Sequence, residues 1–212
     1  MDYKYPTPQL LFKAICNAIR SKTGNSDEIP HQNIPDELDS IITEEECEIA
    51  VQELSNIIYG SEVKVLDSKY ILNIAGYKFY GSGLTTVNLP KCTSIGTCAF
   101  DYCTNLITVN LPKCISIGYA AFSNCTNLTT INLPKCTYIA KYVFNNCTSL
   151  TTIILSNNQI VTLKDIRAFN NSSIANGTGY IYVPDNLVDS YKSDNNWSTY
   201  ANQIKPLSEL SN

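Results

Sequence analysis

Apolar residues recur through the middle of the chain with two superimposed periods. A leucine opens each unit of 22 residues, at Leu84, Leu106, Leu128 and Leu150. Inside a unit apolar and polar residues alternate, as in Thr86-Val87-Asn88-Leu89, which predicts a short β-strand with one buried face. Because no residue is inserted between units, we expect each to form an equivalent turn stacked on its neighbours. The pattern predicts an α/β solenoid with one short parallel strand in each turn.

The rest of each unit also has a fixed phase. A proline closes each predicted strand, since it lacks the N–H of the ladder: Pro90, Pro112 and Pro134. An isoleucine then returns to the core, and a small residue follows, as in Ile95-Gly96 and Ile139-Ala140. Because alanine replaces glycine in that last pair, a positive φ is not required there. One phenylalanine per turn is expected to stack into an aromatic spine: Phe100, Phe122 and Phe144.

Both ends of the array depart from the regular pattern. Before it, Val63 and Val65 alternate as a strand should, which predicts an imperfect first turn. After Leu150 the repeat becomes polar, and the remaining residues predict one last strand over 180–183 and a short helix over 187–191. Trp197 supplies bulk for a lid, with a sugar-stacking platform as the alternative. We therefore predict a solenoid over residues 61–173 and a C-terminal cap over 174–212.

The segment before the array has helical spacing of apolar residues. Thr7-Pro8 and the acidic box Thr43 to Glu46 are typical helix starts, and Gly60 is a typical stop. We predict an N-terminal helical module over residues 1–60, which packs on its own solenoid or joins copies of the chain into a homo-oligomer. The neighbouring glutamates in the box point in different directions, so a solvated first turn explains them better than a metal or catalytic site.

Composition and charge exclude several classes of protein. Among 212 residues, 44% are hydrophobic, which suffices for a core. The net charge of -4 argues against nucleic-acid binding. The sequence contains no apolar run of about 18 residues, so no membrane-spanning helix is predicted. The first residues lack the features of a secretory signal, so ordinary secretion is not encoded unless a signal was trimmed.

Seven of the nine cysteines lie in the repeats, and six of them share two fixed phases. Equivalent residues of stacked turns are about 4.8 Å apart with parallel Cα–Cβ vectors, which does not suit a disulfide. We expect free, buried thiols that act as small apolar side chains. There is no Cys-x-x-Cys, and the lone His31 lies in a polar loop between prolines, so no metal site is predicted.

Catalysis finds no support in the sequence. It contains no glycine-rich phosphate loop, no nucleophile elbow and no second histidine. We predict that the protein is not an enzyme and needs no cofactor.

The strand residues that do not enter the core form a candidate ligand-binding surface. Stacked turns would align them in a threonine column, an asparagine column and a lysine stripe: Thr86, Thr108 and Thr130; Asn88, Asn110 and Asn132; Lys91, Lys113 and Lys135. Such a flat, uncharged surface with a positive border suits a glycan or a protein. The competing interpretation is structural, with β-prone threonines on exposed strands and lysines that keep the surface soluble.

The unit Leu-x-x-Val-x-Leu-Pro-x-Cys-x-x-Ile-Gly-x-x-Ala-Phe-x-x-Cys-x-Asn resembles the BspA-like leucine-rich repeat family over roughly residues 62–170. The tail from Tyr180 to Lys192 is similar to segments that close such arrays in proteins of gut Gram-positive bacteria and their phages. The segment from Ala18 to Gly24, with Ile29-Pro30 and Ile41, is similar to a helical module of phage tail and bacterial surface proteins. This resemblance implies a leucine-rich repeat solenoid without catalytic residues.

Two functions remain from these observations. The resemblance implies an adhesion or receptor-binding module, displayed on a phage tail or bacterial surface, that binds a surface protein or glycan of a host cell through its strand face. The alternative is a cytoplasmic scaffold for one protein partner, consistent with free thiols and no secretory signal.

Overall fold

The computed structural model describes residues 64–69 and 71–210. The predicted N-terminal helices, with His31, the acidic box and Val63, lie outside the described residues. The boundaries predicted for the three domains therefore stay predictions.

Each regular turn contains two short strands, not the single strand predicted from the sequence. A seven-stranded parallel sheet, here the major sheet, has the order β1-β3-β5-β7-β9-β11-β12. Its strands are β1 Val65–Asp67, β3 Thr86–Asn88, β5 Thr108–Asn110, β7 Thr130–Asn132, β9 Thr152–Ile154, β11 Tyr180–Val183 and β12 Ile204–Pro206. A five-stranded minor sheet has the order β10-β8-β6-β4-β2. Its strands are β2 Asn73–Ile74, β4 Ser94–Ile95, β6 Ser116–Ile117, β8 Tyr138–Ile139 and β10 Thr162–Leu163. Each minor strand has only two residues, which is too short for an alternating pattern of apolar and polar residues, so the sequence did not predict these strands.

The register of the major sheet aligns equivalent residues of successive turns. Val87 pairs with Val109, and Val109 with Ile131, all on the buried face. This confirms the predicted alternation. In the first turn the alternation has the opposite phase, because Leu66 aligns with Val87. Leu66 is therefore buried and Val65 is 53% exposed.

The predicted aromatic spine is confirmed and is longer than three rings. Phe100, Phe122 and Phe144 stack with centroids 5.3 and 5.9 Å apart and nearly parallel planes. Phe79 and Phe169 extend the stack at the two ends, at 5.3 and 5.7 Å. All three central rings are fully buried. Since aromatic rings contribute much of the apolar area in a core, this stack holds successive turns together.

The C-terminal segment closes the core and also extends the major sheet. The predicted last strand is confirmed as β11, which pairs with β9, and β12 then pairs in parallel with β11. Helix α1, Val188–Ser193, lies between these two strands in sequence. Trp197 is fully buried and donates its indole N–H to the Val161 carbonyl at 2.6 Å, while Tyr191 accepts from the Val161 N–H at 3.0 Å. Trp197 is thus part of the lid, and its burial excludes the sugar-platform alternative.

A third side, here the loop side, follows the minor strands at residues 76–81, 97–102, 119–124 and 141–146. It has its own ladder of backbone hydrogen bonds between turns. The N–H groups of Cys98, Phe100 and Tyr102 donate to carbonyls of the next turn at 2.8, 2.8 and 3.0 Å. Residues in the left-handed region recur along this ladder, including Cys98 (φ 53°) and Tyr102 (φ 62°).

The glycine that follows the minor strand in the first two regular units does not serve a left-handed turn. Gly96 and Gly118 do not have positive φ, as the sequence predicted. A Cβ on Gly96 would lie 2.6 Å from the Gly76 nitrogen and 2.8 Å from the Ile74 carbonyl oxygen. Glycine is therefore needed there because adjacent turns approach closely at the corner between the minor sheet and the loop side.

Candidate functional surface

The predicted columns lie on the outward face of the major sheet. Thr86, Thr108 and Thr130 align by direct pairing, as do Asn88, Asn110 and Asn132. Thr108, Thr130, Asn110 and Asn132 are exposed, and the first member of each column is half-buried. The structure thus brings the six strand residues together as one surface, here the strand face.

The first two residues of the asparagine column form an ordered hydrogen-bond ladder with Asp67. Asn110 donates its amide N–H to the Asn88 side-chain oxygen at 2.7 Å, and Asn88 donates to the Asp67 carboxylate at 2.8 Å. Each of these amides has a second N–H that the ladder leaves free. Because the ladder fixes the side chains before any ligand arrives, binding there would lose less side-chain entropy.

Asp67 heads this ladder, and sequence reasoning missed it. Aligning Val65-Leu66-Asp67 with Thr86-Val87-Asn88 would have placed Asp67 in the asparagine column. The irregular spacing of the first turn concealed this alignment.

The lysine stripe lies in the turns that join the two sheets. Lys91, Lys113 and Lys135 are exposed, and none of them forms an ion pair with another described residue. Charge is unevenly distributed along the chain. Residues 64–210 contain eleven Lys and Arg but seven Asp and Glu, which gives them a net charge of +4 although the whole chain has -4.

Two tyrosines extend the strand face beyond the predicted residues. Tyr180 aligns with Thr152 in the threonine column, and Tyr182 aligns with Ile154 in the asparagine column. Their rings are 6.5 Å apart, and the Lys205 ammonium lies 5.8 Å from the Tyr180 ring. An aromatic pair on β11 therefore follows the polar columns, and Lys205 of β12 lies next to Tyr182. Sequence reasoning placed this strand in the cap, because 28 residues instead of 22 separate Tyr180 from Thr152.

The repeat cysteines are buried free thiols, as predicted. They also donate hydrogen bonds, which the sequence did not indicate. Cys125 and Cys147 donate to the Phe100 and Phe122 carbonyls at 3.2 and 3.0 Å. Burial raises the pKa of Cys136 to about 11 and of Cys147 to about 12, so these thiols stay protonated and unreactive. Since buried thiols resist oxidation, they do not distinguish a cytoplasmic protein from an exported one.

The described part of the chain contains no group of three or more His, Cys, Asp or Glu side chains that could hold a metal ion. In residues 64–69 and 71–210, no helix has the length and apolar character needed to cross a membrane.

Stacked parallel strands, a buried leucine at each unit start and a phenylalanine spine define the class of leucine-rich repeat solenoids. Residues 72–189 match the model of the BspA type leucine-rich repeat region, with six copies. The chain belongs to this family. None of the curated protein sequences matches it.

Two solved structures are similar. The leucine-rich repeat protein of T. pallidum is 31% identical, with a TM-score of 0.48, and the match covers 57% of this chain and 56% of that one. A leucine-rich cell surface protein of Faecalibacterium prausnitzii A2-165 is 24% identical, with a TM-score of 0.37. That match covers 65% of this chain and 43% of the other. The chain thus spans about half the length of each solved relative.

Proposed function

We propose that the chain is a non-enzymatic adhesion or receptor-binding module, displayed on a bacterial surface or phage tail, with the strand face and the lysine stripe as its recognition surface. The observation that carries this proposal is the ordered ladder from Asp67 through Asn88 to Asn110, which presents amide groups in fixed orientation on an exposed, flat sheet. Membership in a family of binding scaffolds supports the same function.

The regular spacing of the strand face favours a ligand that itself repeats. Threonine hydroxyls and asparagine amides recur once per strand, about 4.8 Å apart. An extended glycan of a host cell can place successive hydroxyl groups against successive turns, and many weak contacts then add along the sheet. The aromatic pair Tyr180 and Tyr182 would contact the end of such a ligand through its amphipathic rings. A flat surface protein of the host is the second ligand that this face suits.

The test uses the fluorescently labelled full chain on an array of bacterial and mammalian glycans and of extracellular matrix proteins. We expect binding that falls about tenfold in Asn110→Ala and in Lys113→Ala, since each removes a polar group from the proposed surface. Asn105→Ala and Lys164→Ala are matched controls, because both residues are exposed and lie outside the strand face and the lysine stripe. Binding that all four variants retain, or no binding to any spot, contradicts the proposal.

A further inference from the structure

Five tyrosines form a second surface on the loop side, away from the strand face. Tyr77, Tyr80, Tyr102 and Tyr119 are 63%, 52%, 51% and 46% exposed, and Tyr142 is half-buried. The Tyr80 ring lies 6.3 Å from Tyr77 and 5.6 Å from Tyr102, and the Tyr119 and Tyr142 rings pack edge to face at 5.7 Å. We call these five residues the tyrosine face.

Three of these tyrosines occupy a backbone conformation that their side chains disfavour. Tyr77, Tyr102 and Tyr142 have φ of 59°, 62° and 61°. A bulky residue in the left-handed region is strained, whereas glycine and asparagine adopt it readily. The positions equivalent to Tyr102 in other turns are indeed glycine or asparagine: Gly81, Asn124, Asn146 and Asn171. The fold alone therefore favours another residue at Tyr102, and an exposed aromatic ring retained under strain points to a contact outside the chain.

A lysine lies at each end of the tyrosine face. Lys78 is exposed between Tyr77 and Tyr80, and the Lys141 ammonium lies 4.7 Å from the Tyr142 ring. Arg167 also approaches that ring, but its guanidinium is bound to Asp165.

The carboxylate of Asp101, next to Tyr102 in the chain, also belongs to this face. Asp101 is 9% exposed and accepts a hydrogen bond from the Asn124 amide at 2.9 Å. Lys78 and Lys141 are three turns apart, about 14 Å at the usual spacing between strands.

We propose that the tyrosine face docks a protein partner whose own surface places acidic side chains on both sides of an apolar centre. Tyrosine is enriched in protein interfaces and in their energetic centres, where its ring buries a large area and its hydroxyl remains hydrogen-bonded. Acidic groups about 14 Å apart would meet Lys78 and Lys141. Tyr77 and Tyr142 share one repeat position three turns apart, and no repeat position carries a tyrosine in two successive turns. This surface therefore matches one particular protein and not a repeating polymer. This second surface goes beyond the proposed function and does not depend on it.

The test pans a random peptide library displayed on phage against the immobilised full chain, then measures the affinity of a selected synthetic peptide by fluorescence polarisation. We expect selected peptides with acidic residues on both sides of an aromatic or aliphatic core. Tyr102→Gly should weaken binding about tenfold without lowering the thermal midpoint, because glycine accepts the left-handed backbone. Lys141→Glu should weaken binding and reduce its salt dependence. Tyr180→Ala, a tyrosine exposed on the strand face, and Asn110→Ala should leave the affinity unchanged.

Several results would overturn the proposal. One is selected peptides with no acidic residues, and another is an affinity that Tyr102→Gly and Tyr119→Ala leave intact. Glycan binding that depends on these two tyrosines would make the occupant a carbohydrate. A dimer seen by light scattering that Tyr102→Gly converts to a monomer would make it a second copy of the chain. Because Asn110→Ala reports on the strand face alone, failure of this inference is distinct from failure of the proposed function.

Discussion

The strand face and the tyrosine face lie on the same solenoid but differ in whether their exposed residues repeat. On the strand face the exposed residue types repeat, since Thr108 and Asn110 pair with Thr130 and Asn132 one turn later. On the loop side the backbone repeats while the exposed residues change, as from Gly81 to Tyr102 to Asn124. A repeated exposed residue has a structural explanation available, in strand propensity or a side-chain ladder. A residue that breaks the repeat and also strains the backbone has no such structural explanation. It therefore indicates a binding function more specifically than a repeated residue does.

The largest expected effect is a pH-dependent loss of stability of the core that both faces share. It arises from the cysteine thiols buried in that core. In the folded chain burial raises the pKa of Cys136 to about 11 and of Cys147 to about 12, and it also raises that of Cys114. Unfolded thiols release their protons near pH 8.5. Above that pH the unfolded state therefore binds fewer protons than the native state, and the free energy of unfolding falls as pH rises. Stability from these thiols is complete below about pH 8.5 and is lost toward pH 11 to 12.

Urea unfolding between about pH 8 and pH 10 checks this prediction. Each buried thiol contributes a loss of about 1.4 kcal/mol per pH unit within the window. Cys136→Ala removes one buried thiol and should therefore reduce the slope of the free energy of unfolding against pH by about 1.4 kcal/mol per pH unit. A free energy of unfolding that stays constant over this range contradicts the assignment.

A second, smaller effect is the loss of stability when a side chain is added at the corner between the minor sheet and the loop side. In Gly96→Ala the new methyl would meet backbone atoms of the preceding turn at 2.6 and 2.8 Å, so the turns must move apart. We expect a loss of about 1–3 kcal/mol in the free energy of unfolding. Gly83→Ala is the matched control, since nothing lies within 4 Å of its added methyl and its φ is not positive. Urea denaturation in which both variants lose equal stability contradicts the close-approach explanation.

The loop side has an amide ladder of its own, in which Asn146 donates to Asn124 at 2.8 Å and Asn171 donates to Asn146 at 3.0 Å. The smallest effect compares the carboxylates that head this ladder and the one on the strand face. Asp101 accepts from Asn124 while almost buried, and Asp67 accepts from Asn88 while exposed. Because a lost partner costs more where water cannot replace it, Asp101→Ala should lower the free energy of unfolding by about 1–2 kcal/mol. Asp67→Ala should change it by less than about 0.5 kcal/mol.

Asp101→Asn controls for the hydrogen bond, since its carbonyl oxygen can still accept from Asn124. Equal losses for Asp67→Ala and Asp101→Ala in the same urea titration would show that burial does not distinguish the two ladders.

Sequence reasoning predicted what the 22-residue period specifies. The buried positions of the strands, the phenylalanine spine and the free thiols follow from phase alone, and all are confirmed. The strand-face residues were also placed correctly on one exposed sheet. A binding role for them stays a prediction.

The remaining features depend on contacts between turns that no local pattern reports. The left-handed residues Cys98, Ala120 and Tyr142 are not types that prefer that conformation, so their backbone could not be read from the sequence. The tyrosines of the second surface come from four different turns, and no repeat position carries one in two successive turns. Their proximity appears only when those turns are stacked.

The central claim is that the loop side recognises one particular protein surface through a pattern that does not repeat. Its most direct test inserts a second copy of residues 84–105 after Asn105 and measures the affinity of the selected acidic peptide. The insertion preserves every strand-face column but moves Tyr119 and Lys141 one turn, about 4.8 Å, away from Tyr77 and Lys78. We predict about tenfold weaker binding with the fold retained. An unchanged affinity in the folded, lengthened chain would contradict the claim.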